Sequence, residues 1–117
     1  MRLKRFQHAL FTSAVCALFL GASQAVVAAG NIERGKAKSV TCQACHGPTG
    51  NSENAAFPKI AGQYRSYLLH AMRAYATGER TNPIMQGMAA PLSEQDREDL
   101  AAWFSSQKGL NPLQSQH

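Results

Sequence analysis

Cys42-Gln43-Ala44-Cys45-His46 is the run on which the reading of this 117-residue chain turns. Cys-x-x-Cys-His is the attachment signature of a covalently held haem. The chemistry uses three of its residues directly. Two thiols add across the two vinyl groups of a porphyrin, and the adjoining imidazole supplies one axial ligand to the iron. The spacing suits a helix, because at about 100° per residue Cys42, Cys45 and His46 fall on one face. One short segment can then grip the ring edge and the metal together. A bare Cys-x-x-Cys would also suit a redox dithiol or half of a zinc site. The rest of the chain fits neither: it has no second cysteine pair or His-x-x-x-His to complete a zinc tetrahedron, and no alternation of strand and helix patterns.

Toward the N-terminus the chain reads as a secretory leader. Arg2, Lys4 and Arg5 give a positive start, residues 9–20 are apolar apart from Thr12 and Ser13, and small residues follow up to Val27-Ala28-Ala29. Cleavage is expected after Ala29, with Ser23-Gln24-Ala25 as the alternative. The competing reading is a retained anchor, but the apolar run is shorter than the roughly 20 residues a bilayer core requires. Cys16 lies within that run and leaves with the leader, so Cys42 and Cys45 remain as an even pair.

The expected division is a leader over 1–29 and one domain over 30–117. That domain is near the size at which a hydrophobic core alone is marginal, so a buried haem would act as added core. Of the 12 Lys and Arg, 9 fall in the domain with all 7 acidic residues, for a charge of +2 against +5 for the whole chain. The basic balance thus comes largely from the leader. No basic stripe with interleaved aromatics marks a nucleic-acid partner.

Helical patterns dominate the domain, and no strand stands out. A first helix is expected from Ile32 to Ala44, with Asn31 as N-cap and Glu33 at its positive end. Gly35 inside it costs about 1 kcal/mol relative to Ala; close approach of another helix would explain it, a tolerated surface glycine being the alternative. Residues 47–62 read as a loop, rich in Gly and Pro. Tyr64, Tyr67, Leu68, Ala71, Met72 and Tyr75 then form one apolar helical face, ended by Gly78. A last helix begins at Ser93 with Asp96 as capping-box partner. Leu100, Trp103 and Phe104 are its buried face, Lys108 sits in its last turn and Gly109 lies just beyond.

The segment Asn82-Pro83-Ile84-Met85-Gln86-Gly87-Met88-Ala89-Ala90-Pro91 reads as a loop between these helices. A low-spin haem needs a sixth ligand opposite His46, and a thioether is a soft donor that favours reduced iron. On position alone Met85 and Met88 serve equally. Met72 belongs to the helical stripe and reads as core, His70 as a surface histidine one step off that stripe, and His117 as a terminal residue.

Four blocks in order now carry a resemblance: Cys42-Gln43-Ala44-Cys45-His46-Gly47, Phe57-Pro58-Lys59-Ile60-Ala61-Gly62-Gln63, Met85-Gln86-Gly87-Met88, and the final helix with Trp103-Phe104. Over residues 31–107 the chain resembles a class I c-type cytochrome. It looks most like one domain of the soluble two-haem cytochromes c of bacteria, or their single-haem relatives. The resemblance implies an all-α fold of three to five helices around one haem c, attached through Cys42 and Cys45. It implies His46 and Met85 as the iron ligands, with Met88 the runner-up. Pro58 matches the proline whose carbonyl accepts a hydrogen bond from the ligating imidazole. Gly35 matches the small residue where first and last helices cross near Trp103, and Tyr67 an aromatic packed near the haem. With one Cys-x-x-Cys-His present, this is not the full two-haem form.

The function so implied is a periplasmic carrier of single electrons, monomeric, without stable membrane insertion after leader cleavage and not itself an enzyme. Its donor would be a cytochrome bc-type reductase or a dehydrogenase, and its acceptor a terminal oxidase or reductase. The alternative is a haem subunit relaying electrons within a larger oxidoreductase complex. A haem enzyme or gas binder would need an open sixth position and a distal acid–base residue, and no distal His or Arg is evident.

Overall fold

A computed structural model describes residues 28–110. The expected leader up to residue 27 and the tail from residue 111, with His8, Cys16 and His117, lie outside the described residues. Within them the chain forms five helices and no strand: α1 (Ile32–Lys38), α2 (Val40–His46), α3 (Arg65–Thr77), α4 (Pro83–Ala89) and α5 (Glu94–Ser105). None is long and apolar enough to cross a membrane.

The expected first helix is two. Asn31 caps α1 as anticipated, its side chain accepting from the Arg34 N–H at 2.9 Å. At buried Ser39 the helix breaks. The hydroxyl donates to the Lys36 carbonyl at 2.8 Å, and the Ser39 N–H is shared between the carbonyls of Gly35 and Lys36 at 2.9 and 3.2 Å. A serine that bonds back into the preceding turn competes with the regular ladder and bends it. The chain restarts as α2 and runs past Ala44 to His46, so the whole Cys-x-x-Cys-His run is helical.

α1 crosses α5 at Gly35, where a Cβ would overlap the Asp99 carbonyl and lie 2.8 Å from Trp103 Cβ. The glycine therefore marks close helix approach, as expected. Beside it Asp99 is fully buried and fully occupied: it accepts from Asn31 N at 2.8 Å, from Arg34 Nε and Nη2 at 2.8 and 2.9 Å, and from Gln95 Nε2 at 3.1 Å. That arginine holds the carboxyl down at about 2. Buried charge is tolerated when paired and hydrogen-bonded in this way. Gln95 also reaches Ala28, donating to its carbonyl and accepting from its N–H.

α3 lies against α5 and α4. Leu68, Leu100, Ala101 and Phe104 form the core cluster, with Cys42, Ile60, Leu69, Met72, Leu92 and Trp103 packed around it. Arg65 with Glu98 and Arg73 with Glu94 tie α3 to α5 outside that core. Along the apolar stripe of α3 Leu68 is buried, Ala71, Met72 and Tyr75 are half-buried, and Tyr64 and Tyr67 are 54% and 48% exposed. His70 is exposed and Met72 packs on the core, both as expected. Gly78 ends the helix in the left-handed conformation.

Two further expectations are corrected. The segment read as a loop from Asn82 to Pro91 contains α4. Asn82 Oδ1 accepts from Met85 N at 3.0 Å and Pro83 takes the first helical position, the arrangement that favours a helix start. At the other end, α5 opens with both capping-box bonds between Ser93 and Asp96, but it stops at Ser105, short of Lys108. Ser106 Oγ and Gln107 Nε2 both donate to the Trp103 carbonyl, at 2.7 and 3.1 Å, closing the helix end early. Gly109 serves instead as a contact point, since a Cβ there would overlap the Ala61 carbonyl.

Candidate functional site

α2 places Cys42 and Cys45 one helical turn apart, with His46 at its last position. The sulfurs are unbridged. Cys42 borders the Leu68–Leu100–Phe104 core, and burial pushes its thiol up from the ordinary value. That is the reverse of a redox dithiol, whose attacking cysteine is held below its usual range. Among the described residues no group of three His, Cys, Asp or Glu side chains comes together as a metal-ion site.

His46 is buried at 8% exposure, and its Nδ1 lies 2.8 Å from the Pro58 carbonyl. A carbonyl can only accept, so Nδ1 carries the proton and Nε2 presents its lone pair. The Pro58 contact named from the sequence is therefore present in the geometry. Pro58 reaches His46 because the 47–62 loop folds back: the Gly50 carbonyl accepts from Ile60 N and Ala61 N at 2.8 and 3.0 Å.

On α4, Met85 is half-buried and Met88 is 38% exposed. Burial thus separates two methionines that position in the sequence left level. Tyr67 stands exposed on α3, its hydroxyl 3.5 Å from Arg80 Nη1. The Arg80 guanidinium lies 4.7 Å from the centre of the Tyr75 ring, which ties the turn before α4 to α3. Arg80 and Asn82 belong to no motif that marks them in the sequence; the Asn-Pro pair was the available signal for Asn82.

The donor set fits a covalently held haem. Two thiols share one helical face, the adjoining imidazole has its proton fixed away from Nε2, and a thioether lies half-buried on a separate helix. The surroundings of Cys42 are apolar, as a porphyrin requires. Two open concavities, of about 680 and 350 Å³, border the site: one runs along residues 51–59 and includes Pro58, the other includes Cys45 and Gly47. Neither is lined by His46, Tyr67 or Met85.

Comparison with known proteins agrees with this chemistry. A family model described as cytochrome c matches residues 32–108. Cytochrome c4 of Pseudomonas aeruginosa is 47% identical over 91 residues, covering 78% of this chain and 45% of that protein. Cytochrome c-554(548) of Halomonas halodenitrificans is 39% identical over 83 residues, covering 68% of this chain and 100% of that protein. The crystal structure of reduced recombinant cytochrome c4 from Pseudomonas stutzeri superposes with a TM-score of 0.66 at 46% identity, covering 70% of this chain and 48% of that one. The chain thus spans about half the length of the cytochrome c4 proteins it matches.

Proposed function

The chain belongs to the cytochrome c family, and from that premise we propose that it carries single electrons in a bacterial periplasm on one covalently attached haem. The observation that carries this reading is the His46–Pro58 bond beside the Cys42–Cys45 pair: the imidazole is oriented by its own fold, with Nε2 available to a metal. When bound, haem iron supplies a one-electron couple whose potential the protein tunes through its ligands and its burial.

This chain's own residues do the rest. Cys42 and Cys45 Sγ would hold the ring through thioethers, and His46 Nε2 would be one axial ligand. Met85 Sδ would be the other, favoured over Met88 by its greater burial and by the family resemblance. The Pro58 carbonyl holds the Nδ1 proton, which makes the imidazole a stronger donor at Nε2. Tyr67, Met72 and Leu68 would exclude water from one side of the site. Electrons would pass to and from redox proteins through small transient contacts: a cytochrome bc-type reductase or dehydrogenase on one side, a terminal oxidase or reductase on the other.

Export would require the leader over 1–29, and the domain would be 30–117. The Ala28–Gln95 pairing survives cleavage after Ala25 and is lost on cleavage after Ala29, so the intact mass of the exported protein separates the two. The visible spectrum of the purified protein, oxidised and then dithionite-reduced under carbon monoxide, tests the function. Sharp low-spin bands indifferent to carbon monoxide are expected. A high-spin or carbon-monoxide-binding spectrum would overturn the closed-site carrier and leave a haem enzyme or gas binder.

A further inference from the structure

We propose that Asn51 is a positioning residue for the His46 imidazole, acting through the lacing of the 47–62 loop onto the end of α5; the inference rests on the haem reading above. His46 and its acceptor stand on opposite limbs of this loop. The imidazole roots the first limb, just before Gly47, and Pro58 sits on the second. Their 2.8 Å contact therefore depends on how the two limbs are held against each other.

The limbs are held in two places. At the neck, the Gly50 carbonyl takes the N–H groups of Ile60 and Ala61. Gly50 has φ +87°, and a Cβ there would lie 2.8 Å from Phe104 Cδ1 and 2.9 Å from Ala61 N, so the neck rests directly on α5 with no side chain between. Beyond the neck, both limbs are tied to the segment leaving α5. The second limb is tied by backbone, Gly62 N donating to the Phe104 carbonyl and Ala61 accepting from Leu110 N, both at 2.8 Å. The first limb is tied by a side chain: Asn51 Nδ2 donates to the Lys108 carbonyl at 2.8 Å. The same amide lies 3.2 Å from Thr49 Oγ1, a contact within its own limb that cannot fix one limb against the other.

Asn51 is thus the substitutable member of a set otherwise made by backbone. Without its amide the first limb keeps only the Gly50 neck against the second, its register beyond the neck slackens, and the His46–Pro58 bond loosens. A weaker bond at Nδ1 makes the imidazole a poorer donor at Nε2, which disfavours oxidised iron. The reduction potential should rise.

The experiment uses the haem-loaded protein and reads exchange of the His46 Nδ1 proton by NMR in the reduced state, together with the reduction potential. Asn51→Ala should speed that exchange roughly fivefold to tenfold, the change expected for losing one neutral hydrogen bond, and should raise the potential. Thr49→Ala should leave both readings as they are. Asn51→Asp keeps the size and removes the donor, so it should speed the exchange equally and serves if the alanine variant does not mature. Unchanged exchange in a haem-loaded Asn51 variant overturns the proposal, even if its melting temperature falls, because a merely structural role moves only the latter. A wild-type protein that carries no covalent haem overturns this proposal and the carrier reading together.

Discussion

Single residues decide the chemistry of this domain. His46 would be an ordinary buried imidazole but for the Pro58 carbonyl, which fixes its proton on Nδ1. Met85 and Met88 differ by three positions on α4 and differ in burial, Met85 half-buried and Met88 exposed. With Met85 as the proposed sixth ligand, loss of its thioether should open that iron position and lower the potential, since a soft ligand favours reduced iron. Met85→Ala is thus expected to bind carbon monoxide when reduced, and Met88→Ala to keep the parental spectrum. A Met85→Ala protein that retained thioether-ligated bands would transfer the role to Met88. The motif itself was fully legible in the sequence, because Cys-x-x-Cys-His has few other uses. The ranking of Met85 over Met88 came from the family resemblance, because their spacing alone is compatible with either one reaching the iron.

At the scale of elements, contacts between helices explain what periodicity alone read imperfectly. Gly35 has a high cost as a helix residue and an evident use as a crossing point. Gly35→Ala should destabilise the haem-loaded protein by about 2 kcal/mol, despite alanine's better helix propensity, because the new methyl meets the Asp99 backbone carbonyl and no rotamer change relieves it. Guanidinium unfolding midpoints measure this, and an unchanged or raised midpoint would mean the helices can part without loss. The start of α5 was readable because a capping box is a local signal, with both halves of the Ser93–Asp96 exchange within three residues. Its end was not: Lys108 and Gly109 look like a helix terminus in sequence, yet side chains of Ser106 and Gln107 close the helix sooner. α4 was legible in Asn82-Pro83 but was outweighed by the Gly and Pro around it.

For the molecule as a whole, the helices are joined by a small apolar core and by charge. Asp99 is held at about 2 by Arg34, and Asp96 at about 2 by Lys38, against an ordinary 3.8 for both. A carboxyl depressed in the folded state contributes stability that is complete above its unfolded value and is lost as pH falls through the folded one. The contribution of these groups is therefore present above about pH 4 and withdrawn between 4 and 2. For fully buried Asp99 it is on the order of 2 kcal/mol. Denaturant midpoints should drop across that window, and Asp99→Asn should be much more destabilising at pH 7 than at pH 2.5. An equal loss at both values would show that the carboxylate charge itself contributes little to the α1–α5 joint.

The sequence by itself determined the chemistry and the class of fold. The attachment motif, the loop proline, the methionine pair and the helix caps are local patterns whose meaning depends on spacing of a few residues, so they survive being read one after another along the chain. Only the tertiary structure decided the break at Ser39, the helix around Met85 and the lacing of the 47–62 loop to the end of α5. Each of these joins groups distant in sequence or depends on which of two local hydrogen-bond patterns prevails. That choice is made by packing against the rest of the molecule, which no stretch of sequence contains.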